Sequence, residues 1–189
     1  MNAFDHVILL LSFVYALALT HLLSRIGALF VARERVKFSG PLALAMGVAI
    51  ILVYANWLGL WDLRGVNGWD LFSITTQFVF AILIYFICIL VGPETTEGEI
   101  DLEAFYWQQR RPYYWAVIAA VCLSLAANAE FLKTPNTALF LRENFANLPM
   151  LVPPALALTV PARWAQWLAG IALLAMMIGF TIAFSPMLS

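Results

Sequence analysis

VILLLSFVYALALTHLLSRIGALFV, residues 7–31, contains no acidic side chain and only His21 and Arg25 as basic ones. With a rise of about 1.5 Å per residue, about 20 helical residues cross a hydrocarbon layer about 30 Å thick. A run this long and this apolar reads as a membrane-spanning helix. The rest of the chain fits that reading. Of its 189 residues, 63% are apolar and 11% charged, where water-soluble domains carry about 25% charged residues. So much apolar surface needs lipid as its solvent.

Working outward, residues 42–61 form a second span entered through Ser39, Gly40 and Pro41. Residues 71–92 form a third, with Asp70 as its N-cap and Pro93 stopping it. A short fourth span over 113–129 has Pro112 at its first turn, and Pro161 and Pro186 bracket a sixth over 162–184. The stretch between these two is irregular. Arg142, Glu143, Asn144 and Asn147 precede Pro149, Pro153 and Pro154, so residues 145–160 read as a short, proline-kinked crossing. A re-entrant or surface-lying segment is the alternative. The expectation is an all-α integral membrane bundle: one transmembrane domain over residues 1–189, six spans, and an interfacial cytoplasmic linker over 93–112.

Basic residues set the orientation, because short cytoplasmic loops carry an excess of Lys and Arg. Arg25, Arg33, Arg35, Lys37, Arg110, Arg111 and Arg163 share one side of the six-span arrangement; Arg64, Lys133 and Arg142 fall on the other. The side with seven is assigned to the cytoplasm and both termini to the periplasm. The first basic residue, Arg25, follows the apolar run, so the first helix is expected to stay as an anchor and not to be cleaved. With a net charge of −1 and scattered basic residues, the chain offers no footprint for nucleic acid. Cys88 and Cys122 both fall in apolar segments and read as small hydrophobes, not a disulfide.

The linker runs from acidic (Glu94, Glu97, Glu99, Asp101, Glu103) through aromatic (Phe105, Tyr106, Trp107) to basic (Arg110, Arg111). Its aromatics are expected at headgroup level, with the arginines reaching anionic lipid; a docking site for a cytosolic partner is the sharper alternative. Three motifs then stand out. They are Thr20-His21-Leu22-Leu23 followed by Arg25 and Gly27, Trp61-Asp62-Leu63-Arg64 followed by Trp69, and Arg110-Arg111-Pro112-Tyr113-Tyr114-Trp115. In these the chain resembles an uncharacterised group of small multi-spanning bacterial inner-membrane proteins with no known activity. The resemblance implies a multi-pass protein of the bacterial inner membrane and implies no chemistry.

Within the first span, Ser12, Ala16, Thr20, Ser24 and Gly27 recur every three or four residues and make a strip of small side chains along one face. Such strips let helix backbones approach closely in lipid. The strip reads as a packing seam, against another span of this chain or against a second protomer. Ala43 with Gly47, or Ala165 with Ala169, would offer the partner surface within the chain. His21 stands beside the strip, about 21 Å into the span by helical rise. It is either hydrogen-bonded to a neighbouring helix or serves as a ligand contact or proton relay.

Polar residues from five helices gather toward the outer side: Asp5 and His6, Asn56, Ser73 with Thr76 and Gln77, Asn128 with Glu130, and Asn144 with Asn147. They would suit an outward-facing, water-filled vestibule, although helix ends also carry such residues as caps. The candidate ligand or ion contacts are His21, Asn56, Gln77, Asn128, Glu130 and Asn147. No cofactor or metal is expected: His6 and His21 lie about 22 Å apart along one helix, too far to share a haem iron. No enzyme signature is present, and Ser24 near His21 has no carboxylate to orient a base. Two functions fit. One is binding or transport of a small molecule, ion or lipid through the outer polar cluster. The other is a non-catalytic scaffold or oligomeric assembly subunit that packs through the first-helix strip. The expected partners are membrane lipids and a second copy or another membrane protein.

Overall fold

The computed structural model describes residues 3–61, 71–95, 97–132, 140–141 and 144–183, the side chains of residues 3–5 and 129–132 excepted. It is all-α apart from two dipeptide strands. Helix α1 (Ala3–Val31) leads through a 3-10 turn (Arg33–Arg35) and β1 (Val36–Lys37) into α2 (Gly40–Gly59). Then come α3 (Leu71–Val91), β2 (Ile100–Asp101) and α4 (Leu102–Leu132). A 3-10 turn (Leu148–Leu151) opens directly into α5 (Val152–Thr159), and α6 (Arg163–Ala183) closes the chain. Among the described residues four helices are long and apolar enough to cross a membrane: α1 over His6–Val31, α2, α3 and α6.

Helix α1 packs mainly against α3 and also against α2, burying Val7, Leu11, Tyr15, Ala18, Leu22 and Leu29, a stripe at helical spacing. These large side chains fill the groove, and the small-residue strip consequently faces outward. Ala16, Thr20, Ser24 and Gly27 are exposed, Ser12 is half-buried, and a Cβ at Gly27 would meet nothing within 4 Å. The strip is therefore uncovered in the single chain. In the second and sixth spans glycines instead receive large side chains of the other helix, while Ala43 is exposed. Gly47 faces Leu174 and Gly170 faces Leu44, so α2 and α6 pack closely, with Ala165 and Ala169 fully buried. Gly40 leaves room for the Trp167 indole, which occupies the space a Cβ would need.

The linker differs most from its sequence reading. Residues 102–112 are the first third of α4, not a loop, and Pro112 sits inside the helix and not at its first turn. Proline forfeits one hydrogen bond there, but the helix continues because both of its flanks are held. Upstream, β2 pairs in parallel with β1, Val36 opposite Ile100 and Lys37 opposite Asp101. Downstream, Tyr113 and Tyr114 are buried. At about 1.5 Å per residue α4 is about 46 Å long, more than a hydrocarbon layer needs. The tight turn before β2 uses Gly98 at φ 103°, a backbone conformation that favours glycine.

Three ion pairs join the acidic residues of the linker to the basic flanks of other elements: Arg25–Glu94 at 2.9 Å, Lys37–Asp101 at 2.6 Å and Arg163–Glu103 at 3.0 Å. The C-terminal part of α1, the start of α2, the end of α3 and the starts of α4 and α6 thus share one end of the bundle, called here the basic end.

The irregular segment runs alongside the middle of α4. Near its start Asn144 bonds to Asn128, and near its finish the Ala157 carbonyl accepts from Arg110. Those two α4 positions lie about 27 Å apart by helical rise. The 12 residues from Leu148 to Thr159 would cover only about 18 Å as an α-helix. The turn at Asn144–Asn147 and the more extended 3-10 geometry make up the difference. Outside the described residues lie Asp70, Trp69, Arg64, Lys133, Arg142, Glu143 and Pro186, and with them the second motif beyond Trp61.

Candidate functional site

At the end remote from the ion pairs, the structure brings some of the anticipated polar residues together. Asn128 Nδ2 donates to Asn144 Oδ1 at 2.9 Å, and Asn144 Nδ2 donates to the Phe140 carbonyl at 3.0 Å. Asn144 is fully buried, although no capping role was assigned to it in particular. Its carbonyl accepts from the N–H groups of Asn147 and Leu148. Asn147 is 9% exposed and makes no side-chain bond to the 3-10 turn it precedes; its amide has no hydrogen-bond partner among the described residues. A buried primary amide left unpaired costs about 1–3 kcal/mol.

The remaining candidates do not join this group. Asn56 Nδ2 donates to the Leu52 carbonyl at 2.8 Å, within its own helix. Gln77 is half-buried on α3. His21 is half-buried, its ring tilted against Tyr85 of α3 with centroids 6.2 Å apart, closer to the basic end than to the amides. The Glu130 side chain lies outside the described residues, as does that of Asp5, and His6 is exposed.

The richest polar geometry is at the basic end, among residues the sequence reading did not single out as a site. Gln166 is fully buried on α6. Its Nε2 donates to the carbonyls of Ala157 (3.1 Å) and Val160 (2.8 Å), and its Oε1 accepts from the Tyr106 hydroxyl at 2.8 Å. Two carbonyls on one side and a hydroxyl on the other fix the amide orientation. The Tyr114 hydroxyl lies 3.3 Å from that of Tyr106. Arg110, 6% exposed, donates from one terminal nitrogen to the Ala157 carbonyl at 3.0 Å, with its guanidinium over the Trp107 ring at 5.3 Å. Helix α5 ends on two donors, one of them cationic, where its dipole and free carbonyls call for them.

Glu103, in the first turn of α4, accepts from Ser39 Oγ (2.8 Å), Trp107 Nε1 (3.1 Å) and Arg163 (3.0 Å). Burial pushes its carboxyl up, but the Ser39 and Trp107 bonds and the Arg163 charge outweigh burial and hold it below the usual range. The bond from Lys37 likewise lowers Asp101 and raises Lys37. Ser39 stands at the N-cap position of α2 yet makes no cap bond, because its hydroxyl is committed to Glu103. Sequence carried one usable signal: Glu103, Tyr106, Trp107, Arg110, Tyr113, Tyr114 and Val117 repeat at helical spacing through the linker into the span.

No three His, Cys, Asp or Glu side chains among the described residues come together as a metal site would need. No family model, no curated protein and no solved structure matches the chain.

Proposed function

We propose that this is a six-span membrane protein that binds, and passes on, a small polar molecule, ion or lipid through an outward-facing polar cluster around Asn128, Asn144 and Asn147. The observation behind it is the Asn147 amide, buried and without a hydrogen-bond partner among the described residues, beside a paired Asn128–Asn144 on a chain segment broken by prolines. Broken helices that expose polar groups at membrane depth are how transporters build binding sites. In this reading α4 and the 144–159 segment are the fourth and fifth crossings. The basic end faces the cytoplasm by its Lys and Arg excess, which puts both termini in the periplasm. The resemblance in the three motifs supports the bacterial inner membrane as its location. The protein is read as non-enzymatic.

Cysteine accessibility tests the reading. In a background with Cys88 and Cys122 replaced by serine, Asn147→Cys and Asn128→Cys should be modified in intact cells by a membrane-impermeant thiosulfonate. Ala120→Cys, buried on α4, should stay unmodified. Protection of both asparagine positions would overturn the vestibule. A second reading has its own observation: the exposed Ser12–Gly27 strip suits isologous packing against a second copy, since small, self-complementary faces pair in lipid. Unchanged association after Gly27→Leu, followed by single-molecule photobleaching in liposomes, would rule it out.

A further inference from the structure

Arg110 is a buried cation with no ion-pair partner among the described residues. Its guanidinium carries five N–H donors, and the residue is 6% exposed. One terminal nitrogen bonds to the Ala157 carbonyl and the Trp107 ring covers a face. Among the described residues its other nitrogens have no hydrogen bond. The described carboxylates nearest in sequence are committed elsewhere: Glu103 to Ser39, Trp107 and Arg163, and Asp101 to Lys37. A cation shielded from water without an anion is strongly disfavoured. The helix terminus at Ala157 offsets part of that cost as a partial charge, not as a full one.

Beside it, Tyr114 has a proton to give. Tyr106 commits its own proton to Gln166 Oε1 at 2.8 Å. Tyr114 therefore either donates to the Tyr106 oxygen across 3.3 Å, a long contact for two hydroxyls, or donates to something else. Tyr106 is held as a donor, since burial pushes its ionisation well up. Residue 110 lies three positions before the start of the fourth span in the six-span reading, at headgroup depth, next to the exposed Arg111 and the largely exposed Arg163.

We infer that Arg110, assisted by the Tyr114 hydroxyl, anchors a binding site for one phosphate-type oxyanion at the basic end of the bundle. A guanidinium fork matches two phosphate oxygens, and a neighbouring hydroxyl serves a third. The two arginines of the Arg110-Arg111 pair then differ in kind: Arg110 holds one anion by geometry, while Arg111 acts as a diffuse surface charge. The anion is either the phosphodiester of an anionic phospholipid or free phosphate, and the site stands whether or not the outer amide cluster binds anything.

The test uses the full chain in neutral detergent. In one arm, native mass spectrometry counts phosphatidylglycerol retained in competition with phosphatidylcholine. In the other, thermal unfolding is followed with and without inorganic phosphate at constant ionic strength. The variants are Arg110→Lys, which keeps the charge and a donor for Ala157 but loses the fork; Tyr114→Phe, which loses only the hydroxyl; and Arg111→Gln as the surface control. One retained phosphatidylglycerol, weakened about tenfold by Arg110→Lys and less by Tyr114→Phe but not by Arg111→Gln, establishes the site with lipid as its source. Stabilisation by phosphate with the same variant pattern establishes it with a free anion. Binding in neither arm, or binding that Arg110→Lys and Tyr114→Phe leave unchanged, overturns the proposal. If Arg110→Lys fails to fold, Tyr114→Phe decides alone.

Discussion

At the basic end Gln166 makes three hydrogen bonds and Glu103 accepts three, joining α2, α4, α5 and α6. At the remote end Asn128 and Asn144 make one bond to each other, Asn56 satisfies itself within its own helix, and the Asn147 amide has no partner among the described residues. Both ends put polar groups near the edge of an apolar bundle. One end consumes them in holding elements together, and the other leaves hydrogen-bonding capacity over. Sites for ligands come from the second condition, rigidity from the first. Arg110 is the exception that belongs to both.

The sharpest way to break this contrast is Gln166→Leu. It strips partners from the Tyr106 hydroxyl and the Val160 carbonyl in one step and leaves the Ala157 carbonyl to Arg110 alone. The expected loss is about 3 kcal/mol, or a fall of about 10 °C in Tm for a chain this size, read by thermal unfolding in detergent. A change below about 2 °C would mean the basic end is not the rigid one.

Glu103→Gln comes next, at about 1–2 kcal/mol, because the amide keeps bonds of the right shape but loses the charge that Arg163 faces. Acid should imitate it. The Glu103 carboxyl titrates lower in the folded chain than in the unfolded one. Its contribution is therefore complete above the unfolded value, about 4.3, and is lost as pH falls through the lower folded value. Tm should drop in that window for the native chain and stay flatter for Glu103→Gln. Parallel curves would remove Glu103 from the account.

Asn144→Leu at the remote end should cost about 1 kcal/mol, and the same substitution should abolish thiosulfonate access at residue 147 if the cluster is wet. The smallest effect is expected from Gly27→Leu, within about 0.5 kcal/mol of the native stability, since a Cβ there meets nothing within 4 Å.

Much of this was legible before any coordinates. Long apolar runs are set by the thickness of lipid alone, which is why α2, α3 and α6 follow from sequence within two residues of their ends, while α1 ends where expected but starts four residues earlier, at Ala3. The linker was not, because a stretch of acids, aromatics and arginines has the composition of a surface loop. Its helicity comes from partners 60 or more residues away: Ser39, Lys37, Arg163 and Gln166. The small-residue strip was visible, but which side of α1 would meet α3 depended on the larger Leu11, Tyr15 and Leu22 opposite it. Of the candidate site, the Asn128–Asn144–Asn147 group was partly legible as polar residues near helix ends. The Gln166 cluster was invisible because a lone glutamine in an apolar helix announces no partner.

The placement of Gln166 also bears on biogenesis. Helix α5 has eight residues and two prolines in its first turn, too little to partition into lipid on its own, and its terminal carbonyls face a membrane edge until they find donors. Arg110 is made before α5, but Gln166 is made after it. The 144–159 segment therefore cannot complete its hydrogen bonds while it is the newest piece of chain. Its end is seated only once α6 is present, so a later helix completes the one before it.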